Sequence, residues 1–296
     1  MISESDIIRL FHEDAHLLDD CAEIPEGSGI LLVSTDSMSE GTHFRLDWSS
    51  PEDLAVKLVQ INVSDLYASG ARPEWCFLNL GLRPELPSEF VRRFAAALRT
   101  ELDAGNIQLL GGDTFRSRDL QLQLTMGGHA QSHITRSGGR AGDALYITGA
   151  PGLSLAGYEV LAGRLTLPEN LRLAALERHL RPRAAGPFDL KGIHAAMDLS
   201  DGIVQDSLRL ARASGLKLTI DLDLIPLPEG LEAFLEKHRA VTSGEELELL
   251  FLGPADFNGF TTCRIGSASQ GSGVVFREGG REVPVAPGFA HFDSID

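Results

Sequence analysis

Along the chain, uninterrupted apolar runs alternate with stretches of helical period. "ILLVSTD" (30–36) is a continuous apolar run that ends in small polar residues, the pattern of a buried strand. "PEDLAVKLVQINVSDLYASG" (51–70) opens on proline and closes on glycine, the punctuation of a helix. It is apolar round most of its circumference, which predicts burial on two sides. "EWCFLNLGL" (74–82) reads as a strand, "PSEFVRRFAAALRTELDAGN" (87–106) as a helix ended by Gly105, and "IQLL" (107–110) as a short strand. "DLQLQLTMGGHA" (119–130) alternates as a half-exposed strand, and "ISESDIIRLF" (2–11) begins like a capped helix.

A Gly-rich, charged stretch, "TRSGGRAGD" (135–143), separates this half from the next and sets a domain boundary near residue 138. Beyond it the pattern predicts a strand at "ALYITG", helices at about 151–163 and 167–180, a strand breaking at "DLSDG" (198–202) into a helix, strands at "LKLTIDLDLIPLP" and "ELELLFLGP", and a hairpin with a Gly-Gly turn at "GVVFREGGREVPV". The expected fold class is α+β: an N-terminal mixed sheet with helices over 1–137 and a C-terminal α/β domain over 138–296.

Composition narrows the function. The chain has 42 acidic against 26 basic residues, a net charge of −16, and no cluster of Lys and Arg, so nucleic acid is not an expected partner. No apolar run is long enough to span a bilayer, and the N-terminal stretch lacks the features of a signal peptide, so the expected location is the cytoplasm. The three cysteines, Cys21, Cys76 and Cys263, are widely spaced and suit free thiols rather than disulfides or a zinc site.

The carboxylates therefore carry the candidate chemistry. "LLVSTD" presents Asp36, "LLGGDT" presents Asp113, and "AAMDLSDG" presents Asp198 and Asp201, each where apolar residues stop. In the helix from residue 51, Leu54, Leu58, Ile61 and Asp65 fall on one face, which places an acid in an apolar stripe near the helix C-terminus, where the dipole disfavours negative charge. Any one of these residues suits a turn or a cap, and Asp201 is placed to cap the following helix. As a set, with Asp14 and without matching Lys or Arg beside most of them, they suit hard-cation binding. Oxygen ligands without Cys or clustered His point to Mg²⁺, which is usually held by a few carboxylates together with substrate phosphates. No Walker motif occurs.

In order, "STDSMSEGTHF", "KLVQINVSDLYASGARP", "LLGGDTFRS", "TRSGGRAGDALYITGAPG" and "MDLSDGIVQD" resemble the thiamine-monophosphate kinase family of the aminoimidazole ribonucleotide synthetase superfamily, and the likeness runs from residue 5 to "GFAHF" near the end. The resemblance implies ATP-dependent phosphorylation of thiamine monophosphate to thiamine diphosphate in a homodimer whose N-terminal sheets pair. It implies metal positions at Asp14, Ser34, Thr35, Asp36, Asp65, Asp113, Asp198 and Asp201, with Asp113 and Asp201 assigned to catalysis. Gly112, Arg136 and Ser200 match nucleotide contacts together with Asp113, and His43, Glu245 and Phe289 match the thiamine side. Asp206 and Glu248 fit caps or surface roles equally well and are not assigned.

The chain departs from the family pattern in two places. His12, Glu13 and Asp14 are aligned with a Gly-Asp-Asp run, and "TSGEELE" (242–248) replaces Ser-Gly-Gly-Glu-Asp-Tyr-Glu. A relative acting on another phosphate-bearing small molecule and a non-catalytic binder of nucleotide or thiamine phosphates are the alternatives.

Overall fold

The computed structural model of the chain describes residues 19–26 and 29–288; the expected first helix, Asp14 and Phe289 lie outside the described residues. The first sheet contains β1 (Ala22–Glu26), β2 (Gly29–Ser39), β3 (Trp75–Leu82), β4 (Gln108–Arg116) and β5 (Gln121–Ala130) in the order β1-β2-β5-β3-β4. Its pairs are antiparallel except β3 with β4. Two helices, α1 (Pro51–Ser69) and α2 (Ser88–Ala104), share a core with one face of this sheet. Leu32, Leu122, Leu124 and Met126 of the strands pack in it with Leu54 and Leu58 of α1 and Phe94 and Leu98 of α2. Each such side chain contributes roughly 1.5–3 kcal/mol by leaving water.

The second sheet has seven strands in the order β12-β11-β8-β10-β6-β9-β7. They are β6 (Ala144–Ile147), β7 (Ala195–Asp198), β8 (Leu216–Asp221), β9 (Leu249–Gly253), β10 (Cys263–Gln270), β11 (Gly273–Glu278) and β12 (Arg281–Val283). Its helices are α3 (Leu153–Leu161), α4 (Glu169–Leu180), α5 (Ile203–Ser214) and the short α6 (Lys237–Ala240). The hairpin β11–β12 turns through Gly279 and Gly280, both at positive φ (56° and 76°), as the Gly-Gly pair requires.

Helix α1 joins the two halves. A capping box between Ser50 and Asp53 starts it, and Gly70 at φ 96° ends it. Fifteen of its nineteen residues are buried, because it packs on β2 and β5 along one side and meets β7 on the other. Ala68, near its end, belongs to the core under β6 and β9 with Tyr146 and Phe251.

Several elements differ from the sequence expectation. β2 continues past Asp36 to Ser39, and β4 runs from Gln108 through Gly111 and Gly112 to Arg116, so Asp36 and Asp113 sit within strands rather than at their ends. Pairing of β4 with β3, which resumes at Gly111 after a bulge at Leu110, overrides the two glycines. A Cβ on Gly112 would lie 1.7 Å from the Leu78 carbonyl oxygen, so the neighbouring strand itself demands glycine there. β9 begins only at Leu249, because Glu245 and Leu247 take positive φ (56° and 51°) and break the extended run. β1 was not foreseen.

Candidate active site

Acids from three separate stretches of chain meet at the C-terminal end of α1. One carboxylate oxygen from each of Asp20, Asp65 and Asp198 lies within 4.8 Å of the others. Asp65 comes from α1, Asp198 ends β7, and Asp20 immediately precedes Cys21 and β1. On β2 the Ser34 hydroxyl donates to Asp65, and Asp36, two residues on and therefore on the same face, adds a further charge near Asp65. Ser64 Oγ donates to Asp198 Oδ2 at 2.8 Å, and the Asp198 N–H donates to the Asp20 carboxylate. The Asp36 N–H donates to Asn62 Oδ1 at 3.1 Å, which ties β2 to α1 beside the cluster.

Burial holds the Asp65 carboxyl well above the ordinary carboxylate range, and the charges of Asp36, Asp198 and Asp20 push it further. Asp198 is raised in the same way, by burial first and then by Asp20 and Asp206. Asp20 is also raised by burial, though Arg136 opposes the shift. The Arg136 guanidinium grips Asp20 Oδ1 through Nε at 3.1 Å and through Nη2, while its backbone N–H donates to Asp19 Oδ1 at 2.8 Å. Among the described residues, Asp65 and Asp198 are met by serine hydroxyls, not by a bonded cation. Such a group either keeps its protons or takes up a cation. An all-oxygen, hard donor set with waters free to complete it fits Mg²⁺.

The loop after β7 has its own support. Asp206, fully buried in the first turn of α5, accepts from the backbone N–H groups of Ser200 (3.1 Å) and Asp201 (3.0 Å) and from Arg209 Nη1 (2.8 Å). Burial above all pushes its pKa up to about 7. Asp206 therefore secures the "DLSDG" loop, whereas the Asp201 side chain leaves the helix N-terminus uncapped and pairs with Arg209 Nη2 at 2.5 Å. Gly202, at φ 96°, makes the turn against the Thr242 carbonyl.

The other expected site residues are spread along the seam or on the open face of the first sheet. Thr35 alternates to the face opposite Ser34, where its hydroxyl meets Thr125 and accepts from Gln123 Nε2 at 3.1 Å. Asp113 is exposed on edge strand β4; its N–H donates to Asn79 Oδ1 (3.0 Å) and its Oδ1 accepts from the Thr114 N–H (2.8 Å). It is outside the Asp20–Asp65–Asp198 group. His43 sits in the turn after β2, where Nδ1 accepts from the Ser39 N–H at 3.1 Å. Ser200 accepts, through its carbonyl, from the Glu245 N–H at 2.7 Å. The Glu245 carboxylate takes Lys57 Nζ at 2.5 Å across the seam.

Sequence reading missed Asp20 and Lys57. The signal for the first was present in "LLDDCAEIP", a doublet of aspartates just ahead of a β-prone stretch. For the second it was the lone basic residue of an otherwise apolar helix. A hollow of about 490 Å³ at the start of β4 is lined by Glu74, Asp103, Asn106, Ile107 and Gln108, and none of the clustered acids reaches it.

The family model described as AIR synthase related protein, N-terminal domain, matches residues 17–130, and the one described as AIR synthase related protein, C-terminal domain, matches residues 140–282. The chain is 41% identical over 306 residues to the thiamine-monophosphate kinase of Leptospira interrogans, covering 99% of this chain and 98% of that one. It belongs to the thiamine-monophosphate kinase family. Within that family, the enzyme of Aquifex aeolicus is 33% identical over 298 residues, covering 97% and 96% of the two chains. A solved structure described as AaThiL complexed with AMPPCP and TMP matches the fold at a TM-score of 0.88 and 32% identity over 97% of this chain and 96% of that one. The two-domain architecture is thus the family's.

Proposed function

We propose that this chain transfers the γ-phosphoryl group of ATP to thiamine monophosphate, giving thiamine diphosphate and ADP. The observation that carries the reading is the Asp20–Asp65–Asp198 group, placed where the two halves meet, in which Asp65 and Asp198 have hydroxyls and, among the described residues, no bonded cation. Support for the reactants comes from the relatives' names and from the AMPPCP and TMP of the similar structure. An oxygen of the acceptor phosphate attacks the γ-phosphorus while the bond to the β,γ-bridging oxygen breaks and ADP departs. The acceptor is already anionic at neutral pH, so positioning and charge neutralisation matter more than a strong general base.

Asp20, Asp65 and Asp198, with Asp36 beside them, are the residues that would hold Mg²⁺. When bound, the ion offsets the charge of the phosphates. Asp19 and Asp20 match the family's paired aspartates more closely than Glu13 and Asp14 do. Arg136 acts on the nucleotide side through its hold on Asp20, and Ser200 and Asp201 line the approach from the second domain.

Asp113 and Gly112 lie on an open edge strand whose neighbourhood exposes Leu109, Leu110, Phe77 and Phe115. A homodimer that pairs these sheets would cover that surface and bring Asp113 to the seam. An ATP-consuming enzyme works where ATP is made and kept, which agrees with the cytoplasm; no helix among the described residues is long and apolar enough to cross a membrane.

The departure at 242–248 does not argue for a changed acceptor. Glu246 is fully buried, and its Oε1 accepts from the N–H groups of Gly152 (2.7 Å) and Ser154 (3.2 Å) and from Ser243 Oγ (2.6 Å). It anchors the N-terminus of α3, so its extra carbon is absorbed inside the domain.

The test is ADP release from MgATP with thiamine monophosphate, thiamine or no acceptor. Release that requires the monophosphate is expected. Release equal to the acceptor-free blank from folded protein would overturn the reading.

A further inference from the structure

The loop between β7 and α5 has its backbone fixed from two sides. Toward the 245–248 segment, the Leu199 N–H donates to the Glu248 carbonyl (2.7 Å), the Leu247 N–H to the Leu199 carbonyl (3.0 Å) and the Glu245 N–H to the Ser200 carbonyl (2.7 Å). From the helix side, the Ser200 and Asp201 N–H groups both end on Asp206 Oδ2. What these bonds leave undetermined is the Asp201 side chain, whose χ1 has three staggered wells to choose from.

Arg209 makes the choice. From the second turn of α5 its guanidinium donates through Nη1 to Asp206 Oδ1 at 2.8 Å and pairs through Nη2 with Asp201 Oδ2 at 2.5 Å. The side chains of Asp206, Asp201 and Arg209 are 0%, 18% and 34% exposed, so the fork lies mostly out of water, where charge-assisted bonds of this kind are strong. One oxygen of Asp206 thus holds the backbone of the loop, and the other holds the arginine that holds the loop's acid. Asp201 forgoes a capping bond at the start of α5 for this pair.

The held carboxylate stands next to the acids of the site. Asp198, three residues earlier, belongs to the Asp20–Asp65–Asp198 group, and Asp201 stands outside it. Asp206 feels the charge of Asp201 and adds its own to Asp198, so these acids share one field. A side chain already fixed in one rotamer loses little freedom on meeting a ligand, and the second oxygen of a carboxylate still has lone pairs to offer. We infer that Arg209 is a positioning residue, which holds the Asp201 carboxylate in the orientation that serves the Mg²⁺ of the bound nucleotide. This rests on the proposed function, which puts Asp201 on the second domain's side of the approach.

The test is a cycle of four full-length proteins, wild type, Arg209→Lys, Asp201→Asn and the double variant, each titrated with MgADP by calorimetry. Lysine keeps a cation beside Asp206 but lacks the planar fork that spans two carboxylates, whereas methionine would strand the buried Asp206. Arg209→Lys alone is expected to weaken MgADP binding about tenfold, as loss of one preorganised contact predicts. In the Asp201→Asn background the same change is expected to weaken it less than about twofold, because the group that Arg209 positions is already gone. Urea unfolding without ligand runs beside the titrations. An arginine with a merely structural role would lower stability and weaken MgADP by the same factor in both backgrounds.

An unchanged MgADP affinity in Arg209→Lys, or equal weakening in both backgrounds, would overturn the inference and leave the kinase reading intact. A wild-type chain that binds MgADP but phosphorylates no thiamine monophosphate would overturn the kinase reading, and the cycle then decides Arg209 by itself. Folded wild-type protein that binds no MgADP would overturn the inference outright.

Discussion

The two ends of α1 handle buried charge in opposite ways. Toward the N-terminus, Asp53 pairs with Arg181 and Lys57 with Glu245, each partner reaching across from the second domain. The next positions on that stripe, Gln60 and Ser64, meet the Ala184 N–H (2.9 Å) and Asp198 (2.8 Å), so residues spaced i, i+4, i+7 and i+11 form one polar seam. The dipole favours the acids of the first turn. At the other end Asp65 faces Asp20, Asp36 and Asp198, the dipole opposes it, and its bonded partner is a hydroxyl. The helix is equally buried at both ends. Charges at the first end are paired across the two domains and hold them together, whereas at the second end Asp65 and Asp198 are met by serine hydroxyls.

The strongest way to break this contrast is Asp65→Asn. On the proposed function Asp65 holds the metal, its loss removes several kcal/mol of charge stabilisation, and turnover is expected to fall on the order of a thousandfold. Stability should move the other way. The folded pKa of Asp65 is raised, so in the metal-free wild type this group favours folding only as the pH falls through that pKa and the carboxyl gains its proton. At pH 8 in a chelator the asparagine variant is therefore expected to melt no lower than wild type, and its melting temperature should no longer respond to Mg²⁺. Retained turnover with a retained Mg²⁺ response would place the metal elsewhere.

Arg136 tests the bonded answer to the cluster's charge among the described residues. Its side chain is 18% exposed and that of Asp20 is 2% exposed, so Arg136→Met strands a buried carboxylate and is expected to cost about 3–5 kcal/mol in urea titrations without metal. Adding Asp20→Asn to the same chain should recover most of that loss, because neither group is then left charged and alone. An Arg136→Met chain as stable as wild type would mean that Asp20 is already neutral or answered by another group.

Much of this contrast was legible in the residues, and the part that was not has physical reasons. Pro51, Gly70 and the apolar circumference of α1 foretold a helix buried on two sides, and the placement of Asp65 on its apolar stripe foretold a carboxyl out of water near the helix C-terminus. Lys57 is the lone Lys or Arg of α1, yet nothing local says that its partner is Glu245, 188 residues away. The paired Asp19 and Asp20 were visible in the residues, but local pattern alone does not say that Asp20 joins Asp65 and Asp198. Asp36 and Asp113 were expected at strand ends, since small polar residues and glycines mimic a terminus. Ladder pairing with neighbouring strands settles the matter, and those neighbours are tens of residues off. Asp206 was set aside as a cap and is one, though it caps the preceding loop rather than its own helix.

The smallest effect comes from His179, at the paired end of α1. Burial first, and then the Lys57 charge, lower its pKa from 6.5 to about 4. Folded protein thus keeps the ring neutral while the unfolded chain protonates it below about pH 6.5. The group's contribution to stability is complete above that pH and is lost as the pH falls toward 4, because the unfolded state then binds the extra proton. Between pH 7.5 and pH 5 the wild type should lose about 2 kcal/mol more than His179→Gln, measured by urea unfolding at each pH. In Lys57→Met the lowering charge is gone and Glu245 is freed, so the His179 pKa rises toward its ordinary value and this difference should shrink. An unchanged difference in that background would mean that burial alone governs the ring, and that the paired end of α1 does not reach His179 through its charges.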